Sequence, residues 1–430
     1  MLNISKTKKR ISKIKKKISE TKKKISKTKK RLYQHTGEDM NIRPNQKITS
    51  LPGYAFAEVD KKVQELKDKG ITPIDFGVGD PQDPTPQLIR EGCKQGVESE
   101  KSSGYPSYIG SAAYRKKIAE WNKKRFGIVL DPDKEICATI GAKEAVFNFP
   151  HAFLEPGDYV LVPNPGYPPY TRGTSFAGGK VHYMNLLPEN GFLPDLESIP
   201  ETIVKKAKII WVNYPNNPTT AIATREFYEK LVKFCHKHDI IIASDEPYSE
   251  NYYDKKPLSV LEIAKEGVIV FQSLSKRSNM TCYRVGWVAG DERIISIFKK
   301  LKTNVDSGCA TFIQDAAITA LSDEKHVEGL RADYRKKRDI LIEALTSAGL
   351  PRCEPQGTIY MWQKVPEEMT SVEFAARLLD PKIGIVVTPG SWISSEVDGM
   401  NPGEGFVRFA LVPSLDEVKK AAEKIRKLKF

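Results

Sequence analysis

The sequence predicts an α/β protein built on a mostly parallel sheet, with a second, smaller domain beside it. Three observations carry that prediction. Between about residues 75 and 300, short apolar runs of strand length alternate with longer stretches of helical spacing, the pattern of repeated strand–crossover–strand units. The runs 159–162, 209–212, 240–244 and 268–271 are almost wholly apolar, as strands buried on both faces are. A chain of 430 residues with 40% hydrophobic content is also long enough for two domains and a large core.

Residues 41–51 are expected to run as an extended arm. Residues 56–69 (FAEVDKKVQELKDK) carry helical spacing up to Gly70, a natural helix stop. Ile74–Pro81 reads IDFGVGDP, and glycines before Asp-Pro suit a tight turn where backbone nears a ligand. Gly104–Gly110 (GYPSYIG) precedes a helix expected over 112–126. Thr139–Ala145 (TIGAKEA) opens another helix after a short strand, and amides freed by a glycine at a helix start can cradle a phosphate.

Four strands then run into polar turns, three of them rich in proline. The strand 159–162 leads into PNPGYPPY (163–170), 209–212 into NYPNNPTT (213–220), and 240–244 into DEPY (245–248). Asp245 reads either as a helix N-cap or as a carboxylate that pairs with a pyridinium nitrogen and keeps the ring an electron sink. The strand 268–271 leads into SLSKRSNMTCYRVGW (273–287). Further on, 310–347 is expected to be helical, 357–362 (GTIYMW) to be a strand, and 403–411 (GEGFVRFAL) to close the chain's second domain. The expected boundaries are a leader (1–39), an arm with part of the small domain (40–77), a large domain (78–308) and a small C-terminal domain (309–430).

Lys276 is the residue around which the chemistry gathers. It stands just past the end of a buried strand, where open α/β sheets bind ligands. Ser273 lies three residues before it and Arg284 eight after. A lysine amine can form a Schiff base with a carbonyl, while a hydroxyl and a planar guanidinium remain to hold a phosphate. Pyridoxal phosphate requires both. An isolated S-x-x-K would mean little; its partners in order give it weight.

Composition narrows the alternatives. No run approaches the 18 apolar residues of a membrane span, and the amino terminus has charge without an apolar h-region, so it does not read as a secretory signal. The six cysteines include no C-x-x-C pair, which argues against a zinc site or a disulfide framework and fits a reducing, cytoplasmic setting. The histidines form no metal-spaced cluster. The net charge of +14 belongs to the amino terminus: residues 1–36 hold 15 of the 68 basic residues and one of the 54 acidic ones, leaving 53 against 53 elsewhere. The net charge therefore says nothing about the partners of the body.

Taken together, the ordered motifs over about residues 45–430 strongly resemble the class I/II aminotransferases of fold type I. The resemblance implies a large domain with a mostly parallel seven-stranded sheet and a smaller α+β domain built from both chain ends. It implies pyridoxal 5'-phosphate held on Lys276, which also shuttles the substrate's α-proton. It places Tyr105 at the phosphate of the partner subunit in a homodimer, with Gly110 and Arg115 completing the same pattern. It assigns Ala142, Lys143, Ser273 and Arg284 to the phosphate and Tyr167 to the face of the pyridine ring. Asn217 and Tyr248 go to the phenolic oxygen and Asp245 to the ring nitrogen. Gly79, Asn217 and Arg408 go to the substrate carboxylate, and Tyr54 to a substrate contact. The usual final glycine of N-P-x-N-P-T-G is Thr220 here.

Amino-acid and 2-oxo-acid substrates follow from the same resemblance, with neither membrane nor nucleic acid as partner. The stretches 51–56, 188–195, 304–308 and 388–390 are most similar to those of enzymes acting on LL-diaminopimelate in lysine biosynthesis. DEPY departs from the D-S-A-Y form of the plant enzymes, which keeps a general aspartate, alanine or aromatic aminotransferase open. A cofactor-binding regulator whose basic leader touches DNA is a further alternative, although the leader has no helix-turn-helix pattern.

The leader repeats every seven residues from Ile4 to Arg31, with isoleucines at 4, 11, 18 and 25. It reads as a weak coiled coil, a nucleic-acid or acidic-surface tether, or a disordered tail. A further expectation is that translation starts at Met40: that residue directly precedes the family-like beginning, and Gly37-Glu38 can be encoded by a ribosome-binding sequence.

Overall fold

The computed structural model describes residues 42–49, 51, 57–101 and 104–430, with side chains left aside at 57–60. The expectations about residues 1–39 and about Tyr54 lie outside them. The chain divides into two units, Met1–Gly53 and Tyr54–Phe430. In the first, the segment expected to be extended contains one helical turn, Gln46–Thr49. Asn45 explains the difference, because its side-chain oxygen accepts from the Lys47 amide at 2.8 Å and so starts the turn.

The second unit is an α/β fold. Its main sheet has seven strands: β2 (Ile136–Thr139), β3 (Tyr159–Asn164), β4 (Lys180–Asn185), β5 (Ala207–Val212), β6 (Ile241–Asp245), β7 (Val268–Ser273) and β8 (Gly286–Gly290), following the short β1 (Ile74–Asp75) in the chain. Their spatial order is β2-β8-β7-β6-β5-β3-β4. Only β8 runs against its neighbours; the other pairings are parallel. Strands β5 and β7 are apolar along almost their whole length because both faces are covered. One face packs with Leu161, Ile210, Ile242, Val268 and Trp287, the other with Val160, Ile209, Trp211, Ile269 and Phe271.

A second core lies around β9 (Tyr360–Lys364), β10 (Ile385–Val386), β11 (Thr388–Pro389) and β12 (Phe406–Ala410). Strand β12 is central between β11 and β9, while β1 pairs with β10. Phe76 from the amino-terminal side joins Leu341, Phe374, Phe409 and Ile425 there, so both ends of this unit contribute. Packing does not change at residue 308. Helix Thr311–Ser322 still puts Ala316, Ala317 and Ala320 into the main sheet's core, and only helix Lys325–Ser347 turns to the second one.

Helix boundaries follow local chemistry. Helix Ala112–Phe126 starts at Ser111, whose side chain accepts from the Tyr114 amide, and stops at Gly127 with φ 73°. The strand expected from 357 starts only at Tyr360, because Thr358 sits at φ 70° and breaks the extended run. Among the described residues no helix is long and apolar enough to cross a membrane.

Candidate active site

A cleft of about 370 Å³ opens at the carboxyl ends of the parallel strands, and Gly79, Ala142, Lys143, Tyr167, Asn217, Asp245, Tyr248, Ser273, Lys276, Arg284 and Arg408 all line it. The strand ends deliver most of them. The turn after β2 brings Ala142, that after β3 brings Tyr167, and that after β5 brings Asn217. Asp245 closes β6, Ser273 closes β7, and Arg408 comes from β12. Parallel strands put every carboxyl end on one edge, so residues more than a hundred positions apart meet there.

Lys276 is mostly buried, and its Nζ donates to the Gly79 carbonyl oxygen at 2.5 Å. Burial lowers its pKa to about 8; Asp80 pulls it back upward, while Arg408 and Arg284 push it further down. An amine held there is a ready nucleophile and proton acceptor.

Asp245 is only 4% exposed. Its Oδ2 accepts from the Tyr170 hydroxyl at 2.6 Å, its backbone oxygen accepts from Asn213 Nδ2 at 2.7 Å, and its Oδ1 has no partner. Burial raises its pKa to about 7, against the lowering effect of the Tyr170 hydrogen bond. Asn213 also orders the next turn, its Oδ1 accepting from the Asn217 amide at 2.9 Å.

Arg408 is held on several sides. Nη1 donates to Asn217 Oδ1 at 3.0 Å and Nη2 to the Gly77 carbonyl at 2.9 Å. Its guanidinium lies 4.4 Å from the centre of the Tyr360 ring. Nε remains without a hydrogen-bond partner. Such a fork can bind a carboxylate.

Arg284, at φ 52°, donates from Nη1 to the Thr281 carbonyl at 2.6 Å. Its Nη2 lies 2.5 Å from where a Cβ on Gly141 would be, so the bare glycine lets the guanidinium come against the turn before Ala142. The Ser273 hydroxyl donates to Ser275 Oγ at 2.9 Å. Two hydroxyls, a guanidinium and the start of the helix at Ala142 thus border the cleft.

Tyr105 does not line the cleft. It is 84% exposed, on a loop pinned by Arg115, which donates to the Gly110 carbonyl and pairs with Asp133 at 2.6 Å. Thr220 occupies its turn at φ 67°, a region that favours glycine. Four further residues join the site that no motif singles out: Asn213, Tyr170, Ser275 and Tyr360. Asn213, Tyr170 and Ser275 lie in the turns after strands, and Tyr360 in the strand expected over 357–362, but spacing alone does not say which way they face.

This geometry agrees with comparison to known proteins. The family model "Aminotransferase class I and II" matches residues 71–425. The chain belongs to that family. Among its relatives, an LL-diaminopimelate aminotransferase of Aquifex aeolicus is 47% identical, the alignment covering 90% of this chain and 99% of that protein. An LL-diaminopimelate aminotransferase of Nitratidesulfovibrio vulgaris is 44% identical over 89% of this chain and 98% of its own. Among solved structures, a Thermus thermophilus aspartate aminotransferase variant superposes with a TM-score of 0.82 at 29% identity, covering 90% of this chain and 99% of that one.

Class I and II aminotransferases depend on pyridoxal 5'-phosphate, and the cleft of this aminotransferase fits that group. A buried carboxylate oxygen with no partner is costly, and Asp245 Oδ1 is one; a protonated ring nitrogen would satisfy it. The Arg284, Ser273 and Ser275 end suits a phosphate, and the amine of Lys276 suits an aldehyde.

Proposed function

We propose that this chain is an LL-diaminopimelate:2-oxoglutarate aminotransferase of lysine biosynthesis, working as a cytoplasmic homodimer. The observation that carries the catalytic part is the meeting of Lys276, Asp245 and Arg408 in one cleft. The substrate rests on the near end-to-end likeness to the Aquifex enzyme and on the four stretches of similar sequence noted above.

The bound cofactor supplies an aldehyde for the substrate amine and a ring that takes up the electron pair left when the α-proton departs. The residues do the rest. Lys276 would hold the cofactor, and its amine, when free, would take the substrate's α-proton and return it at the adjacent carbon, a task suited to an amine poised near neutrality. Asp245 keeps the ring nitrogen protonated. Tyr167 would cover the ring face, and Asn217 and Tyr248 would serve the phenolic oxygen. Ala142, Lys143, Ser273 and Arg284 hold the phosphate, with Tyr105 reaching it from the other subunit. Arg408 clamps the α-carboxylate, Asn217 orients Arg408, and the backbone at Gly79 borders the substrate. The resemblance assigns Tyr54 a substrate contact.

The decisive experiment adds single amino acids to the cofactor-loaded protein and follows its visible absorbance. Bleaching by LL-diaminopimelate and glutamate, but not by aspartate or tyrosine, is the expected result. Bleaching by aspartate or tyrosine instead would make it a general aminotransferase, and no visible band with added cofactor would remove Lys276 from its role.

A further inference from the structure

We infer that Tyr360 is a positioning residue of the substrate site, its ring setting the plane of the Arg408 guanidinium and its hydroxyl supporting Tyr248. The inference rests on the function proposed above and extends it to a residue with no role there.

Tyr360 begins β9 and is 3% exposed, yet it lines the cleft. Register explains the placement. On the antiparallel β9–β12 pair, Arg408 lies opposite Trp362 and Ala410 opposite Tyr360, so Tyr360 and Arg408 are diagonal neighbours on one face. The guanidinium carbon stands 4.4 Å from the Tyr360 ring centre, within range of a cation–π contact that strengthens as water is excluded. Asn217 and Gly77 fix the edge of the guanidinium by hydrogen bonds; the ring supports its face. An arginine held on edge and face gives up little freedom when a carboxylate arrives.

The hydroxyl end has its own partner. Tyr360 Oη is 3.3 Å from Tyr248 Oη, and the rings meet edge to face at 5.9 Å. A hydroxyl that accepts a hydrogen bond becomes a stronger donor, so Tyr360 donating to Tyr248 would strengthen Tyr248 toward the phenolic oxygen. Gly79 makes room for this arrangement, since a Cβ there would lie 1.9 Å from Tyr360 Oη. The same Gly79 offers its carbonyl to Lys276. Tyr360 therefore touches the carboxylate clamp, the phenolic-oxygen ligand and the segment on which the lysine rests.

Two variants separate ring from hydroxyl. In cofactor-loaded Y360L, the dissociation constant for glutamate, read from the spectral response, should rise about tenfold. That for 4-aminobutyrate, which has no α-carboxylate, should change less than about twofold if the ring acts through Arg408. Y360F keeps the ring and should keep its glutamate affinity. The pH midpoint of its visible band should rise by about half a pH unit, because a weakened Tyr248 leaves more negative charge on the phenolic oxygen to hold a neighbouring proton. Equal losses for both ligands in Y360L, or an unmoved midpoint in Y360F, would overturn the inference, and Y360F alone decides if Y360L does not fold. A wild-type protein that responds to no amino acid would instead overturn the proposed function.

Discussion

Asp245 shows how one buried atom constrains chemistry. Its carboxylate shares the end of β6 with an aromatic wall in which Tyr170 stacks on Trp211 at 4.7 Å, and only one of its oxygens is satisfied. Asp245→Asn keeps the shape but cannot hold a ring nitrogen protonated, so kcat/KM should fall about a thousandfold, in line with lost electrostatic stabilisation elsewhere, while the protein still folds. Without cofactor the same residue has a pH signature. Its folded pKa, about 7, lies above the ordinary value of 3.8, so between those values the folded state binds more protons than the unfolded one. Stability from this group is fully present below pH 3.8 and is lost as pH rises through 7. Urea titrations of the apoprotein across that window should show the fall, and Asp245→Asn should lessen it, the rest coming from the neighbouring Glu246, which burial also raises to about 7. Lys276 moves the other way: with a pKa lowered to about 8, its reactive free amine appears as pH rises through 8. The rate at which apoprotein captures pyridoxal phosphate should therefore have its midpoint near 8, and a midpoint near the ordinary 10.5 would contradict its burial.

At the scale of elements, the turn after β5 carries a local cost. Thr220 at φ 67° donates its amide to the Asn216 carbonyl at 2.8 Å, and its own carbonyl accepts from the Gly357 amide at 3.1 Å. A β-branched residue held left-handed costs about 1–2 kcal/mol, part of which glycine returns through unfolded-state entropy. Thr220→Gly should therefore stabilise the protein by about 1 kcal/mol in urea unfolding, and a net loss would mean that the threonine side chain earns its place by packing. This turn also marks the limit of what the sequence discloses. Asn217, Asp245, Lys276 and Arg284 were legible because each sits in a short motif whose neighbours state its position past a strand. Strand runs were legible because burial on both faces removes polar residues from them. The contacts of Tyr170, Asn213 and Tyr360 were not, since they depend on sheet register and on crossovers that bring β3, β5, β6 and β9 together. The helical turn at Gln46–Thr49 was hidden for the opposite reason: one asparagine side chain, and no periodicity, produces it.

For the molecule as a whole, Tyr105 poses the question that a single chain leaves open. Its loop is locked by Arg115 against Gly110, and by Gly308, whose missing side chain lets the Ser107 carbonyl approach to 2.5 Å of the Cβ position. A tyrosine 84% exposed outside the cleft, on a loop held at Ser107 and Gly110, fits a residue that serves another copy. If two chains exchange Tyr105 across a two-fold axis, each site takes its lysine from one chain and its tyrosine from the other. Tyr105→Ala should lower cofactor affinity about tenfold, the usual loss for a hydrogen bond to a charged group, and Lys276→Ala should abolish activity. Mixing the two variants under exchange conditions, at limiting cofactor, should then restore activity. Half of the dimers become mixed, and one of their two sites pairs an intact Lys276 with an intact Tyr105, giving about a quarter of the wild-type rate. If Tyr105 served its own chain, each mixed dimer would hold one defective site of each kind and mixing would restore nothing.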